Sequence, residues 1–229
     1  MKWVFMIIYE STGNNGRINV RPEVTRIFTV KRCFMGKVFC LIGPSSSGKD
    51  TVYREIMSVC ADRLKKIVSY TTRPAREGEQ DGVQYYFTDE GTFQGLKASG
   101  RVIEDRCYDT FYGKWRYFTV DDGQIDIGGS SYLVIATIES YLMFRDYFGD
   151  ECVVPVYIEL DPGIRLQRAL DRENRNKKPG YEEMCRRFLA DSRDFSEAKI
   201  AEAGIARRFN NSDLNSCVNE IVSYIDSSL

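Results

Sequence analysis

The sequence predicts a three-layer α/β fold with a parallel core sheet, an inserted subdomain and a helical lid. Three observations predict it. Short apolar runs alternate with amphipathic stretches, the pattern of buried parallel strands joined by crossover helices. A glycine-bounded loop, Gly43 to Gly48, joins the first core run to the first helical stretch. Residues 71–117 then break the alternation, mixing polar residues, glycines and aromatics without a long apolar stripe.

In chain order, residues 1–34 read as an appendage. One reading is two strands, residues 3–9 and 18–30, around a turn at Gly13-Asn14-Asn15-Gly16. The other is an upstream extension, with Met35-Gly36-Lys37 a natural start. Residues 37–42 form the first buried strand. Residues 51–64 have helical spacing, with Val52, Ile56, Val59, Cys60 and Leu64 on one side. Residues 67–70 read as a second strand, and 71–117 as the insertion, built of short antiparallel strands. Residues 132–137 and 152–160 are further buried strands. Residues 164–175 and 181–201 read as helices joined by the basic stretch 175–180. Residues 206–210 make a weak last strand and 214–225 the closing helix, with Asp213 as its N-cap. The expected organisation is a core of residues 35–70, 118–162 and 190–229, an insertion at 71–117 and a lid at 163–189.

Composition narrows the chemistry. The 229 residues are 43% hydrophobic and 28% charged, with 32 Lys plus Arg against 33 Asp plus Glu. A nucleic-acid binder normally carries a basic excess, so none is expected, and anionic ligands must be held by local clusters. There is no histidine, which removes histidine triads and histidine metal ligands. Phosphoryl transfer needs mainly positioning and charge neutralisation, and so remains available. The seven cysteines are odd in number and lack C-x-x-C spacing, which predicts reduced, mostly buried thiols in a cytoplasmic protein. No apolar run approaches a membrane span. Residues 3–9 are too short an apolar stretch, with no small-residue cleavage site after them, to predict export. A monomer or homodimer is expected.

The strongest motif is Gly43-Pro44-Ser45-Ser46-Ser47-Gly48-Lys49-Asp50-Thr51. It satisfies G-x-x-x-x-G-K between an apolar strand and an amphipathic helix. Backbone N–H groups of such a loop, with the helix N-terminus, cradle phosphate oxygens. Lys49 reaches the β- and γ-phosphates. These residues define a P-loop ATP site. Asp50 replaces the usual metal-binding hydroxyl; its carboxylate is the candidate Mg²⁺ ligand, and Thr51 is the next hydroxyl along.

A second block runs Ser69-Tyr70-Thr71-Thr72-Arg73-Pro74-Ala75-Arg76-Glu77-Gly78-Glu79-Gln80-Asp81-Gly82-Val83-Gln84-Tyr85-Tyr86-Phe87. Two arginine forks and a phenol suit a phosphate monoester. The alternative is a solvated loop. Further on, Arg165, Arg168, Arg172 and Arg175 lie along one helical stretch and Arg186 and Arg187 along the next. Arg168 and Arg172, four apart, share a face, although a charge run is often only a solvated surface.

Together the P-loop and the block S-x-T-T-R-x-x-R-x-G-E-x-D-G-x-x-Y-x-F resemble guanylate kinases, P-loop nucleoside monophosphate kinases. The resemblance implies GMP as acceptor and ATP with Mg²⁺ as donor. It implies that Ser69 lies near the guanine and that Arg73, Arg76, Tyr85 and Tyr112 hold the GMP phosphate. Val102-Ile103-Glu104 resembles the element whose Glu accepts from guanine N1 and N2. Arg168, Arg172 and Arg187 match lid arginines, and Asn211 matches a residue close to the adenine. Departures are also present. Lys114 stands where the family has a guanine-contacting Ser or Thr. Ala136-Thr137-Ile138-Glu139-Ser140-Tyr141 lacks the aspartates of D-x-D-x-Q-G, and Glu139 is off register as a replacement. Two alternatives stay open: the G-K-D loop resembles ribose 1,5-bisphosphate phosphokinase, and guanylate-kinase-like modules also exist as non-catalytic binders.

Overall fold

The computed structural model describes residues 35–110 and 113–229. The readings of residues 1–34 and of Tyr112 lie outside them. Five parallel strands form the core sheet: β1 (Val38–Ile42), β2 (Leu64–Lys66), β7 (Ser131–Ala136), β8 (Val153–Glu159) and β9 (Arg208–Asn210), in the order β2-β7-β1-β8-β9. β1 is central and every residue in it is fully buried. That is why it reads as an unbroken apolar run rather than an alternating one.

The two faces of the sheet carry separate cores, which gives three layers. Val38, Cys40, Ile42, Tyr132 and Val134 pack with Tyr141 and Phe144 of helix α3 (Ile138–Phe148) and Ile200 of α6 (Glu197–Glu202). Phe39, Leu41, Leu133 and Ile158 pack with Val52 and Ile56 of α1 (Lys49–Val59) and with Cys217, Val218, Ile221 and Ile225 of α7 (Leu214–Ser228). Each fully buried aliphatic or aromatic side chain contributes roughly 1.5–3 kcal/mol. Asp213 caps α7 by accepting from the Ser216 N–H at 2.8 Å, as its sequence position predicts.

The second sheet holds β3 (Tyr70–Thr71), β4 (Tyr86–Phe87), β5 (Val102–Thr110) and β6 (Gly113–Val120), in the order β4-β3-β6-β5. Helix α2 (Glu90–Ala98) covers it through Phe93, which packs on Phe118 and Val120. The lid consists of α4 (Pro162–Asn174) and α5 (Tyr181–Asp194). Among the described residues no helix is long and apolar enough to cross a membrane. Cys40, Cys60, Cys152 and Cys217 are buried free thiols, while Cys107 and Cys185 are free and exposed.

Several expectations need correction. Residues 67–69 belong to no strand; of the expected strand 67–70 only Tyr70 is in one, as the first residue of β3. There the Val68 N–H donates to the Gln124 side chain at 2.8 Å, and the chain crosses from one sheet to the other. The insertion is not purely antiparallel or short-stranded: β3 pairs parallel with β4, and β5 and β6 are nine and eight residues long. α1 ends at Val59, which is 54% exposed, because the buried stripe follows Val52, Ile56 and Cys60 at four-residue spacing. The long helix expected over 181–201 breaks at Phe195, which turns against the core, and Ser196 starts α6. Residues 138–148 form a helix the pattern did not reveal, capped by the Thr137 hydroxyl, which accepts from the Ser140 N–H at 3.1 Å.

Candidate functional site: a phosphate loop facing an arginine-rich cleft

β1 ends directly in the loop, and α1 starts at Lys49. Positive φ at Ser46 (61°) and Gly48 (94°) produces the tight turn. A Cβ at Gly48 would lie 2.3 Å from the Asn211 side chain, so close packing as well as φ requires glycine there. Lys49 folds back on the loop, its Nζ donating to the carbonyls of Gly43 (2.5 Å) and Pro44 (2.8 Å). Burial lowers its pKa to about 8, with Asp50 and Asp191 opposing that shift and Arg165 adding to it. The hydroxyls of Ser46 and Ser47 are buried and have no hydrogen-bond partner among the described residues.

A cavity of about 360 Å³ opens over the loop. Ser45, Ser46, Gly48, Lys49, Asp50 and Thr51 line one side, and Arg168, Arg172 and Arg187 the other. Arg168 and Arg172, which share a helix face, and Arg187, which the resemblance matches with them, therefore converge on the loop. Arg187 Nε donates to Glu183 at 2.7 Å, and Arg186 pairs with the same carboxylate. The two guanidinium groups hold the Glu183 pKa at about 2. Asn211 lies behind the loop instead of lining the cavity. Its Nδ2 donates to the Ser47 carbonyl at 2.7 Å, its N–H to the Glu159 carbonyl at 2.9 Å, and its own carbonyl accepts from Arg168 at 3.3 Å. One hydrogen of its side-chain amide thus braces the loop.

Sequence reasoning missed Asp191. This α5 carboxylate accepts from the Ser45 N–H at 2.8 Å and lies 3.9 Å from Arg165, which is nearly buried and stacks on Phe188 at 5.0 Å. Arg165 belongs to the arginine run read in the sequence, but Asp191 does not stand out there; only the packing of α4 and α5 brings the two together.

The residues of the block 69–87 lie at and beside the second sheet. The guanidinium of Arg73 is 3% exposed and forks onto Glu79, with two N–O distances of 2.7 Å. That fork and the Arg76 N–H hold the Glu79 pKa at about 2. The charge of Arg73 also lies beneath the Tyr85 ring, 5.3 Å from its centroid. Arg76 is exposed and its guanidinium forms no ion pair among the described residues. Tyr85 is pushed up in pKa, chiefly by burial, and feels the charges of Arg106, Arg73 and Asp50. Ser69, Thr119 and Glu104 form a buried row: Ser69 Oγ lies 3.3 Å from Thr119 Oγ1, which donates to Glu104 at 2.8 Å. Glu104 is also paired with Arg106, the other residue the sequence reading did not single out. Glu139 lies in the first turn of α3. Lys114 is 74% exposed, 4.0 Å from Asp109.

Among the described residues no cluster of three or more Cys, Asp or Glu forms a metal cage. The donor set fits the way Mg²⁺ binds beside nucleotides: one or two carboxylates, here Asp50 on the cavity wall, with phosphate oxygens completing the shell.

Fold and site together define a P-loop α/β protein with an inserted sheet and an arginine-bearing lid. The comparisons point to one group. Residues 35–117 match the guanylate kinase family model. The chain is 38% identical to the guanylate kinase of Anaplasma phagocytophilum over 102 residues, 44% of this chain and 48% of that one. It is 35% identical to that of Chlorobium chlorochromatii over 121 residues, 52% and 61% of the two chains. It thus spans about half the length of the curated relatives it matches. The crystal structure of the Anaplasma phagocytophilum guanylate kinase shares the fold, with a TM-score of 0.58 over 84% of this chain and 86% of that one, at 24% identity.

Proposed function

We propose that the chain is an ATP-dependent nucleoside monophosphate kinase whose reaction is ATP + GMP → ADP + GDP. The observation that carries this reading is the cavity that joins the phosphate loop to Arg168, Arg172 and Arg187, beside a second sheet on which the charge of Arg73 lies beneath the Tyr85 ring. In this reading the N–H groups of the loop and Lys49 hold the donor phosphates. The lid arginines neutralise the charge that develops as the phosphoryl group moves. Tyr85 and Arg76 hold the acceptor phosphate. Arg73 supports them from below with its buried charge, braced by Glu79. Ser69 and Glu104 face the base.

The attacking atom is a phosphate oxygen, already anionic, so no general base is required. This agrees with a chain that has no histidine. Positioning two polyanions in line is the main task, and two separate groups of arginines, one lining the phosphate-loop cavity and one at the second sheet, suit it. Asp50 would hold Mg²⁺, which when bound supplies further neutralisation of the phosphates. Closing α4 and α5 over the loop excludes water and limits ATP hydrolysis.

A coupled ADP-release assay with GMP, dGMP, AMP and ribose 1,5-bisphosphate tests the proposal. Turnover with GMP and little with AMP is expected. Turnover with only the sugar phosphate would reverse the choice of acceptor. No ATP·Mg²⁺ binding by calorimetry would favour a non-catalytic binding module.

A further inference from the structure

Glu104, Arg106 and Tyr108 alternate along β5, so the two-residue period of a strand places all three on one face. On β6, Thr119 is in register with Glu104 and Tyr117 with Arg106. This is the face that carries Ser69 and Tyr85. The Glu104 side chain is 1% exposed and that of Arg106 15%. Arg106 Nε donates to Glu104 Oε2 at 3.1 Å, and Nη2 lies 3.5 Å from Oε1. Two of the five N–H donors of the guanidinium are thus directed at Glu104. Its charge also reaches Tyr85 and Tyr108, lowering both phenols against the effect of their burial. Arg106 therefore stands between the base-side carboxylate and the phosphate-side phenol.

Resting on the assignment of Glu104 to the base, we propose that Arg106 is a specificity-determining residue of the acceptor site. Glu104 and Arg106 form an acceptor–donor edge that reads a 6-oxopurine nucleotide: Glu104 accepts from N1–H and the 2-amino group, and Arg106 donates to O6. Guanine presents those three groups side by side. Adenine presents an acceptor at N1 and a donor at position 6, so both contacts are reversed. Arginine donating to guanine O6 is also the commonest specific contact proteins make to that base. Without ligand, Glu104 and Arg106 satisfy one another; with guanine bound, each exchanges part of that contact for the base, and no buried charge is left alone. Lys114 cannot fill this role from its place at the surface, 74% exposed beside Asp109.

The test compares GMP with 6-thio-GMP, whose sulfur is a weak acceptor, in wild type, Arg106→Ala and Arg106→Lys. Wild type should prefer GMP in kcat/KM. Arg106→Ala should raise KM for GMP roughly 10- to 100-fold, the range of one good base contact, while kcat and KM for ATP stay within about threefold, because a base contact is uniform binding. The preference for GMP over 6-thio-GMP should disappear. Arg106→Lys keeps a cation beside Glu104 and safeguards folding, yet should weaken the same preference. Equal losses with both nucleotides would show that Arg106 only neutralises Glu104, and would overturn the proposal, as would a lower KM for GMP in Arg106→Ala or an unchanged preference in Arg106→Lys. If wild type turns over no GMP, the guanylate reading falls and takes this inference with it; GMP turnover without an Arg106 effect sinks the inference alone.

Discussion

The side-chain amide of Asn211 donates to the Ser47 carbonyl at 2.7 Å, across 164 residues of sequence. The end of the last core strand thereby holds the middle of the phosphate loop. The contact is buried, and Asn211 is only 3% exposed. Replacing it by alanine leaves a buried carbonyl without its partner, at a cost of about 1–3 kcal/mol. Asn211→Ala should therefore melt at a lower temperature and bind ATP more weakly, with KM for GMP little changed. Thermal melts and a nucleotide titration check both.

Lys49 gives a pH signature. Burial lowers its pKa from 10.5 to about 8, so the ligand-free side chain loses its charge as pH rises through that value. ATP affinity should fall above pH 8. Stability should move the opposite way on this residue's account. Between about pH 8 and 10.5 the unfolded lysine holds its proton while the folded one does not, so unfolding free energy rises with pH. A bound triphosphate favours the charged amine, and binding near pH 9 should therefore take up a proton. Calorimetry in two buffers of different ionisation enthalpy measures that uptake.

Glu79 is depressed to about 2, first by the Arg73 fork and then, against the effect of burial, by the Arg76 N–H. A carboxylate with a lowered folded pKa stabilises the protein above its ordinary value of 4.5 and loses that contribution as pH falls toward 2. Glu79→Gln also strips the nearly buried Arg73 of its counter-charge, a change worth on the order of 3 kcal/mol. The variant should melt earlier at pH 7, with the gap from wild type closing between pH 4.5 and 2. Its KM for GMP should rise, because Arg73 no longer holds its position under Tyr85. Melts across pH and initial rates with GMP read the two effects.

The parts of the site legible in the sequence are those whose chemistry is local. Gly48 must adopt positive φ beside Asn211, and it sits between a wholly buried strand and a helix start, so the loop is recognisable without coordinates. Arg168 and Arg172 share a helix face, and the cavity confirms that this face is turned inward. Asp191 was invisible because its partner, the Ser45 N–H, is 146 residues away. Arg106 sits two residues from Glu104 on a strand, a spacing that puts both on one face, but the sequence does not show that this face is the one carrying Ser69 and Tyr85. The insertion was read as short strands because α2 buries only Phe93, which gives no helical stripe. β2 and the crossing to β3 were misplaced because Ile67 and Val68 are apolar and buried yet belong to neither sheet.

The lid offers the most direct separation of catalysis from stability. Arg187 lines the cavity and is held by Glu183, whose side chain is 48% exposed. A pair so open to solvent contributes at most about 1 kcal/mol to folding. Glu183→Ala should therefore leave the melting temperature nearly unchanged and free Arg187 to swing. Arg187→Ala should fold equally well but lose a donor aimed at the migrating phosphoryl group, lowering kcat by roughly 10²- to 10³-fold. Because that donor acts on charge that appears in the transition state, KM for GMP should hold steady while kcat falls. Steady-state kinetics on both variants, beside their melts, decides it: a matching loss in KM, or a drop in stability as large as that in rate, would place Arg187 outside the reaction.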